Sequence, residues 1–278
     1  MTCQSALYLS GNKRSLLPNI EPHTRGKKVL VDVFTGSGTI PLNLSEGRER
    51  VIANDNSEHY INLHKSLQST DWILQCYEEN KGYKDSREDF DRLKADYNKD
   101  LLRLDLLYLI MMRSHSNSIR FNSKGGCNIT HGKRERFDIK RMFTHQQRTK
   151  DVEWYNLSFV AFLSRLEELL EVSGHTLEDT VIYLDPPYQS TTTHYTGQWD
   201  TREDEILLKF MVDFHNKGAK IVYSNVFYNR GVTSQWLIDW CEEHSDKFEV
   251  IHLDRDYNNC SSFKYEGVKS DEVLIVSK

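Results

Sequence analysis

The stretch from Lys28 to Gly38, KVLVDVFTGSG, decides the fold. Its first half is a short β-branched run, which is typical of a buried parallel strand. Its second half is a glycine-rich turn, where a backbone without Cβ atoms can bend sharply and let a ligand approach. The helix expected after Gly38 would point its N-terminal amides at that ligand. On its own, the turn fits equally well a tight strand-to-helix connection with no ligand.

An acidic residue follows the next predicted strand. Arg50 to Asn54 is predicted to be that strand, and Asp55 stands directly after it. At about 20 residues beyond a glycine turn, a carboxylate can accept hydrogen bonds from both hydroxyls of a ribose. The pair therefore favours a nucleoside-containing cofactor, although a dinucleotide site would usually have a third glycine where this chain has Pro41. The alternative is that Asp55 caps a helix.

The sequence Asp185-Pro186-Pro187-Tyr188 follows the apolar run Thr180 to Leu184. Two prolines make a stiff corner, so Asp185 is expected at the carboxyl edge of the sheet, where open α/β folds bind ligands. The amino group of adenine is a poor nucleophile, and the Asp185 carboxylate and the Pro186 carbonyl would activate it by accepting its hydrogen bonds. Tyr188 would stack on the base after its extrusion from a duplex. The alternative is a plain strand-ending turn.

Basic residues concentrate between Arg113 and Lys150. This segment holds ten Lys and Arg against two acids, a local charge of +8, whereas the whole chain carries −5 and the remainder therefore −13. Such a concentration is expected of a DNA-contacting segment on an acidic enzyme. A solvated basic face is the alternative.

Alternating helix and strand patterns surround this segment. They predict an α/β, doubly wound, Rossmann-like sheet that a helical and basic insertion interrupts. Within the insertion, Ser118 to Ile129 is predicted to form a β-hairpin, and Arg134 to Asp151 is expected to be irregular. The other elements predicted are helices at 57–68, 159–172, 202–216 and 234–243, and strands at 180–184, 220–226, 248–253 and 271–277, the last two forming a hairpin.

Composition excludes several classes of protein. The longest apolar runs are too short for a membrane span, and the N-terminus lacks the pattern of a secretory signal. The five cysteines are scattered and never form CxxC, and no histidine motif indicates a metal. We expect a cytoplasmic protein that binds no metal and no membrane.

Together, the motifs resemble those of the Dam-type (D12 class) adenine-N6 DNA methyltransferases of bacteria and phages, in the same order and over most of the chain. The resemblance implies a Rossmann-like S-adenosylmethionine-dependent methyltransferase. Its catalytic domain would comprise residues 1–70 and 151–278, and residues 71–150 would form a helical and β-hairpin insertion that recognises the DNA target. The motifs are Ser10 to Lys13 with Leu16 to Pro18, Phe34 to Gly38, Asn54-Asp55, Ser116-Asn117 with Ile119 to Asn122, Gly132 to Arg134, Asp185 to Tyr188 with Tyr195, Ser224-Asn225, and Asp271 to Val273.

The resemblance also implies residue roles. Asp185, Pro186, Pro187 and Tyr188 would be catalytic. S-adenosylmethionine would be bound by Ser10, Gly11, Lys13, Asp32, Phe34, Gly36, Gly38, Asp55, Asp185 and Tyr195. Double-stranded DNA would be bound by Asn12, Ser116, Asn117, Arg120, Asn122, Lys124, Thr130, Lys133 and Arg134, with Arg120 reading a guanine.

The expected activity is methylation of adenine N6 in duplex DNA at GATC or a related short site, by base flipping and by a monomer, in the manner of a restriction-modification enzyme. The chain departs from the family at Leu9, where relatives have an aromatic residue, and at Thr130-His131, where phage relatives have a proline before an aromatic residue. Ser158-Phe159 is the nearest match to the DF-like element of the family. The alternatives are the same chemistry on cytosine N4 or RNA adenine, and a catalytically silent DNA-binding relative.

Overall fold

A computed structural model describes residues 2–9, 11–115, 117, 119–123, 125–132, 136–188, 199–229, 231–253 and 270–278. The chain forms two compact units. The first comprises Met1–Ser15, Thr35–Glu46 and Ala53–Asn156, and the second comprises Leu16–Phe34, Gly47–Ile52 and Leu157–Lys278. The following predicted site residues lie outside the described residues: Ser10, Ser116, Lys124, Lys133, Arg134 and Tyr195.

The secondary structure alternates at both ends of the chain and is helical in the middle. The strands are β1 (Val29–Asp32), β2 (Arg50–Asn54), β3 (Val152–Tyr155), β4 (Thr180–Leu184), β5 (Lys220–Asn229), β6 (Val232–Thr233), β7 (Phe248–Leu253) and β8 (Asp271–Ser277). The helices are α1 (Leu17–Thr24), α2 (Thr39–Leu44), α3 (Glu58–Leu67), α4 (Thr70–Asn80), α5 (Arg87–Lys99), α6 (Leu104–Arg113), α7 (Ile139–Thr149), α8 (Phe159–Leu163), α9 (Leu166–Glu171), α10 (Thr201–Asn216) and α11 (Gln235–Glu243).

The second unit contains a mixed sheet with the strand order β1-β4-β5-β8-β7. Strands β1, β4 and β5 are parallel, and β8 pairs antiparallel with both β5 and β7. Every residue of β1 and β4 is buried, as expected of parallel strands covered on both faces. The predicted α/β sheet and its closing hairpin are confirmed.

Strand register brings two predicted site segments to one edge of this sheet. Asp32 at the end of β1 pairs with Tyr183 on β4, and the Val33 amide donates to the Tyr183 carbonyl at 3.2 Å. Because the carboxyl ends of parallel strands meet at the same edge, Phe34 and Asp185 leave the sheet there together.

The first unit has a largely helical core. Helix α6 is buried along nearly its whole length, as expected of a helix that is apolar all round. Helix α5 instead buries one face, formed by Phe90, Leu93 and Tyr97. Serine side chains cap α4 and α5: Ser69 accepts a hydrogen bond from the Trp72 amide and Ser86 from the Asp89 amide.

One segment differs clearly from its prediction. The stretch expected to be irregular, 134–151, contains helix α7, and the Asp138 carboxylate caps it by accepting from the Lys140 and Arg141 amides at 3.0 and 3.2 Å. The buried side chains of α7 are Met142, His145 and Thr149. Partly buried Ile139 and Phe143 also pack on the core of the first unit, so the apolar residues of α7 have helical spacing, but they occupy only its N-terminal part.

Two further elements correct the sequence predictions. The helix expected at 159–172 consists of α8 and α9, because Arg165, with φ −108° and ψ 0°, lies outside helical geometry. Strand β3 was not expected, and its Tyr155 carbonyl accepts the Asp55 amide at 3.2 Å.

Two features are absent from the described residues. None of the helices there is long and apolar enough to cross a membrane. No cluster of three or more His, Cys, Asp or Glu side chains suited to a metal ion occurs in that part of the chain either.

Candidate active site

In the first unit, the glycine turn and the residue after β2 are joined by a hydrogen bond. The Gly36 amide donates to Asp55 Oδ2 at 2.8 Å, and the Ser57 amide donates to Asp55 Oδ1 at 2.8 Å. The Thr35 amide donates to the Asn54 carbonyl at 2.8 Å, which aligns the turn with the end of β2. Both carboxylate oxygens of Asp55 are therefore fixed by backbone donors.

The Asp55 carboxylate fits the ribose of a nucleoside cofactor. Each carboxylate oxygen accepts up to two hydrogen bonds, so one backbone donor at each oxygen leaves capacity for a ribose hydroxyl. A Cβ built on Gly36 would meet no atom within 4 Å, which leaves the turn open to a ligand. Burial raises the pKa of Asp55, and the hydrogen bonds from Ser57 and Gly36 oppose that shift. Asp55 is not the cap of α3, which is Ser57, two residues later.

Gly11, Asn12 and Lys13 of the N-terminal motif lie in the same unit. Gly11 has a positive φ of 79°, and Lys13 is buried with 8% of its surface exposed. The Asn12 carboxamide bonds to local backbone, donating to the Leu9 carbonyl at 2.9 Å and accepting from the Arg14 amide at 3.3 Å. In this structure Asn12 therefore shapes the segment that carries Lys13.

The predicted catalytic motif, Asp185 to Tyr188, is in the second unit, directly after β4. The Tyr188 hydroxyl donates to Asp185 Oδ1 at 2.7 Å and lies 3.3 Å from Ser224 Oγ. Pro186 is buried, whereas Asp185 and Tyr188 are half-buried. The prolines and the tyrosine hydroxyl together hold a partly accessible carboxylate at the edge of the sheet.

Tyrosines buried below this corner stay neutral. Burial, reinforced by the negative charge of Asp185, raises the pKa of Tyr183 well above its ordinary value. Burial raises the pKa of Tyr223 in the same way, and the Asn225 carboxamide donates to its hydroxyl. Ser224 and Asn225, two residues of the family motif on β5, thus lie beside the tyrosines of the corner.

An aromatic cluster surrounds Phe34 in the second unit. The Phe34 ring lies 5.7 Å from that of Phe159 and 5.5 Å from that of Trp199, and the indole of Trp199 donates to the buried Asp204 at 2.9 Å. Asp32, at the end of β1, is also buried. Trp199 was not predicted from the sequence, where the only sign of it is an aromatic residue directly before Asp200, the cap of α10.

The predicted hairpin is present in the first unit as an irregular antiparallel loop. Phe121 bridges to Cys127, and the Asn128 amide donates to the Arg120 carbonyl at 2.9 Å. The Phe121 ring packs on His59 of α3 at 4.5 Å, whereas Arg120 and Asn122 are exposed. This alternation presents every second side chain of the hairpin strand to solvent.

The exposed hairpin residues also form hydrogen bonds with nearby backbone groups. Arg120 Nε donates to the Asn128 carbonyl at 3.1 Å, and Asn122 Oδ1 accepts from the Gly126 amide at 3.0 Å. Thr130 is exposed, and its carbonyl accepts from the His115 amide at 3.0 Å. Each of the three side chains thus reaches solvent from a backbone fixed by hydrogen bonds.

Asn117 occupies a different environment from the other predicted DNA contacts. It is 1% exposed, has a positive φ of 54°, and donates to the Met111 carbonyl at 3.2 Å. Its side-chain oxygen accepts from Arg136, whose guanidinium lies 4.6 Å from the ring of Tyr8. In this structure the Asn117 side chain anchors the start of the hairpin to the C-terminus of α6.

Comparison with known proteins places the chain among DNA methyltransferases. Residues 9–258 match the family model of the D12 class N6 adenine-specific DNA methyltransferases. The chain is similar to the type II methyltransferase M.FokI of Planomicrobium okeanokoites (27% identity) and the modification methylase StsI of Streptococcus sanguinis (29%), and 99% of this chain aligns with each. It spans only 43% of the length of these two relatives.

A third relative is of similar size to the chain. The DNA adenine methylase of Vibrio cholerae serotype O1 is 26% identical, over 79% of this chain and 80% of the relative. The family model covers nearly the whole chain, including the glycine turn, the hairpin and the Asp185 corner, and it confirms the resemblance seen in the sequence. The chain therefore belongs to the D12 class N6 adenine-specific DNA methyltransferases.

Proposed function

We propose that this protein transfers a methyl group from S-adenosylmethionine to the N6 amino group of adenine in duplex DNA, at GATC or a related short site. The observation that carries the proposal is the corner after β4, where Tyr188 donates to the Asp185 carboxylate at 2.7 Å. An acceptor held rigidly at the carboxyl edge of an α/β sheet suits the activation of an aromatic amine.

The corner supplies the chemistry that the amine needs. A carboxylate has about four acceptor sites, so the hydrogen bond from Tyr188 leaves Asp185 able to accept one from the amine. Together with the Pro186 carbonyl, Asp185 draws the nitrogen lone pair out of conjugation and towards the methyl donor. The Tyr188 ring stacks on the extruded base, and base–aromatic stacking stabilises such complexes by about 1–3 kcal/mol.

The methyl donor is held by residues of the N-terminal motifs. Asp55 would accept hydrogen bonds from the ribose hydroxyls, and Lys13, Phe34 and residues Gly36 to Gly38 are the other residues that would hold the cofactor. When bound, S-adenosylmethionine supplies an electrophilic methyl group on a positively charged sulfur. Burial raises the pKa of Asp55, and the two backbone hydrogen bonds favour its ionised form, which is the better acceptor for the hydroxyls.

In this proposal, residues 71–150, the insertion, recognise the DNA. Arg120 is exposed on the hairpin and aligned through Nε, which leaves its terminal NH2 groups to donate to guanine O6 and N7. The basic excess of the segment attracts phosphates. We expect a monomer to bind duplex DNA in the cytoplasm and to flip the target adenine out of the stack.

The relatives favour DNA modification as the biological setting. Two of them are a type II methyltransferase and a modification methylase, which suggests a role in restriction-modification for this chain. The same corner would also serve cytosine N4 or an RNA adenine. Exposed Arg120 on a hairpin favours duplex DNA over these substrates.

The proposal is tested by incubating the protein with labelled S-adenosylmethionine and unmethylated DNA and mapping the modified bases by sequencing. Label in N6-methyladenine at one short motif is expected. Label in N4-methylcytosine, or in RNA alone, would contradict the proposed substrate, and binding of cofactor and DNA without transfer would identify a silent relative.

Asp185→Ala should abolish methyl transfer while S-adenosylhomocysteine still binds. Asp239 is an exposed aspartate on α11, and Asp239→Ala should change neither methyl transfer nor S-adenosylhomocysteine binding.

A further inference from the structure

We propose that His64 and His145 are positioning residues of the cofactor site. These two buried, neutral histidines form a chain of hydrogen bonds, called the relay below, that transfers no proton. It holds Gly36 and, through it, the Asp55 carboxylate in the orientation that a ribose requires. This inference rests on the proposed function, because the ribose is that of the S-adenosylmethionine which the proposed function requires.

The relay begins at the carbonyl of the glycine turn. His64, on α3, is fully buried, and its Nε2 lies 2.9 Å from the Gly36 carbonyl oxygen. The Gly36 amide donates to Asp55 Oδ2 at 2.8 Å, so this glycine is held on one side by a histidine and on the other by the carboxylate. Helix α3 secures both, since the amide of its capping residue, Ser57, holds the second oxygen of Asp55 at 2.8 Å.

The hydrogen bonds assign one tautomer to each ring. A carbonyl only accepts, so His64 Nε2 carries the proton, and His64 Nδ1 accepts from His145 Nε2 at 3.3 Å. His145 Nδ1 then accepts the Ala6 amide at 3.4 Å. Beside it, the Ser5 hydroxyl donates to the Ser37 carbonyl at 2.5 Å. Both rings are neutral, and the chain of bonds runs from the N-terminal segment to the turn.

The surroundings keep both rings uncharged and fix the plane of His64. Burial lowers the pKa of His64 to about 4. Burial is also the main reason why the pKa of His145 lies well below its ordinary value, and the electrostatic effect of neighbouring His64 is the second. Trp154 stacks on His64 with 4.1 Å between ring centroids and 2° between planes. A ring clamped in this way can donate in only one direction, towards the Gly36 carbonyl.

Contact between His64 and the turn extends to a second glycine. A Cβ built on Gly38 would lie 2.6 Å from His64 Cε1, so the ring packs directly against the backbone of the turn. A purely apolar residue could fill the same space, but it could not orient the Gly36 carbonyl. The relay thus predicts an effect on cofactor affinity that packing alone does not.

Two substitutions of His64 separate these roles. His64→Phe keeps an aromatic ring against Trp154 and removes both nitrogens, whereas His64→Gln loses the ring and keeps a donor near the position of Nε2. By calorimetry, His64→Phe should weaken S-adenosylhomocysteine binding about tenfold, the factor expected for one buried hydrogen bond. KM for S-adenosylmethionine should rise similarly, while kcat changes little. His64→Gln should recover most of the affinity, and His59→Phe, on the same helix, should leave it unchanged.

The outcomes distinguish the relay from the proposed function. If the wild-type protein fails to bind S-adenosylhomocysteine, the proposed function and the relay fall together. If wild type and His64→Phe bind equally well, or if both substitutions weaken binding equally, only the relay is overturned. Nitrogen-15 NMR of the wild-type imidazoles provides a measurement that needs no variant to fold. Neutral rings protonated at Nε2 support the relay, and a charged ring or the Nδ1 tautomer at neutral pH refutes it.

Discussion

Acid should destabilise this protein through His64 in a way that one substitution can isolate. The ordinary pKa of histidine is 6.5, and burial lowers that of His64 to about 4. Because the folded pKa lies below the unfolded one, the unfolded chain binds more protons between these values. The stabilising effect of neutral His64 is therefore fully present above pH 6.5 and is lost as the pH falls towards 4.

The size of the effect follows from proton linkage. For one group whose pKa falls from 6.5 to about 4 on folding, lowering the pH from 7 to 5 reduces the free energy of unfolding by about 2 kcal/mol. His64→Gln removes the titrating group and keeps a donor. The difference in unfolding free energy between wild type and His64→Gln should therefore shift by about 2 kcal/mol over this range, against the wild type at low pH.

Urea denaturation monitored by circular dichroism at several pH values would measure this difference. His145 titrates with the same sign, but its pKa is held low chiefly by burial in both proteins, so its contribution largely cancels. Exposed histidines cancel for the same reason. A wild-type minus His64→Gln difference that stays constant between pH 7 and pH 5 would refute the assignment of His64 as a buried neutral ring.

Three other substitutions test the turn, helix α7 and the hairpin. Gly38→Ala should cost more than the roughly 1–2 kcal/mol of left-handed backbone, because its Cβ also meets His64; Gly47→Ala, with a similar φ and open space, is the matched control, and equal losses in urea denaturation would disprove the clash. Asp138→Ala should lose about 1 kcal/mol of unfolding free energy as a helix cap, and Asp138→Asn should restore most of it. Arg120→Ala should reduce discrimination at one guanine by about 1–3 kcal/mol, measured as methylation rates on DNA sites altered one base pair at a time; a uniform loss at every position would mean that Arg120 contacts phosphate.

Local patterns predicted the parts of the fold that carry the catalytic motifs. The β-branched run at 28–34 contains the fully buried strand β1, and the apolar run at 180–184 is the fully buried strand β4; a strand buried on both faces has a distinctive sequence. The strand positions alone place Asp32 and Asp185 at the carboxyl edge of the sheet. Asp55 was placed after β2 by the same reasoning, and the structure adds its two backbone donors.

Elements stabilised by distant partners were not predictable in this way. Helix α7 buries a histidine whose partner, His64, lies 81 residues earlier in the chain. The apolar residues of α7 are confined to positions 139, 142 and 143, and the polar residues after them give no sign of that pairing, so the helix was not predicted. Strand β3 has only four residues and contains Glu153, and its role at Asp55 depends on an inter-strand hydrogen bond that the sequence does not display.

The two glycines of the turn have different reasons to be glycine, although the sequence motif presents them as one signal. Both have a positive φ, but a Cβ on Gly36 would meet no atom within 4 Å, whereas a Cβ on Gly38 would strike His64. Gly36 thus leaves space beside the turn for a ligand, whereas at Gly38 the buried ring of His64 occupies the space that a side chain would need. The ring of His64 therefore explains why residue 38 is glycine, and the sequence motif alone does not show this contact.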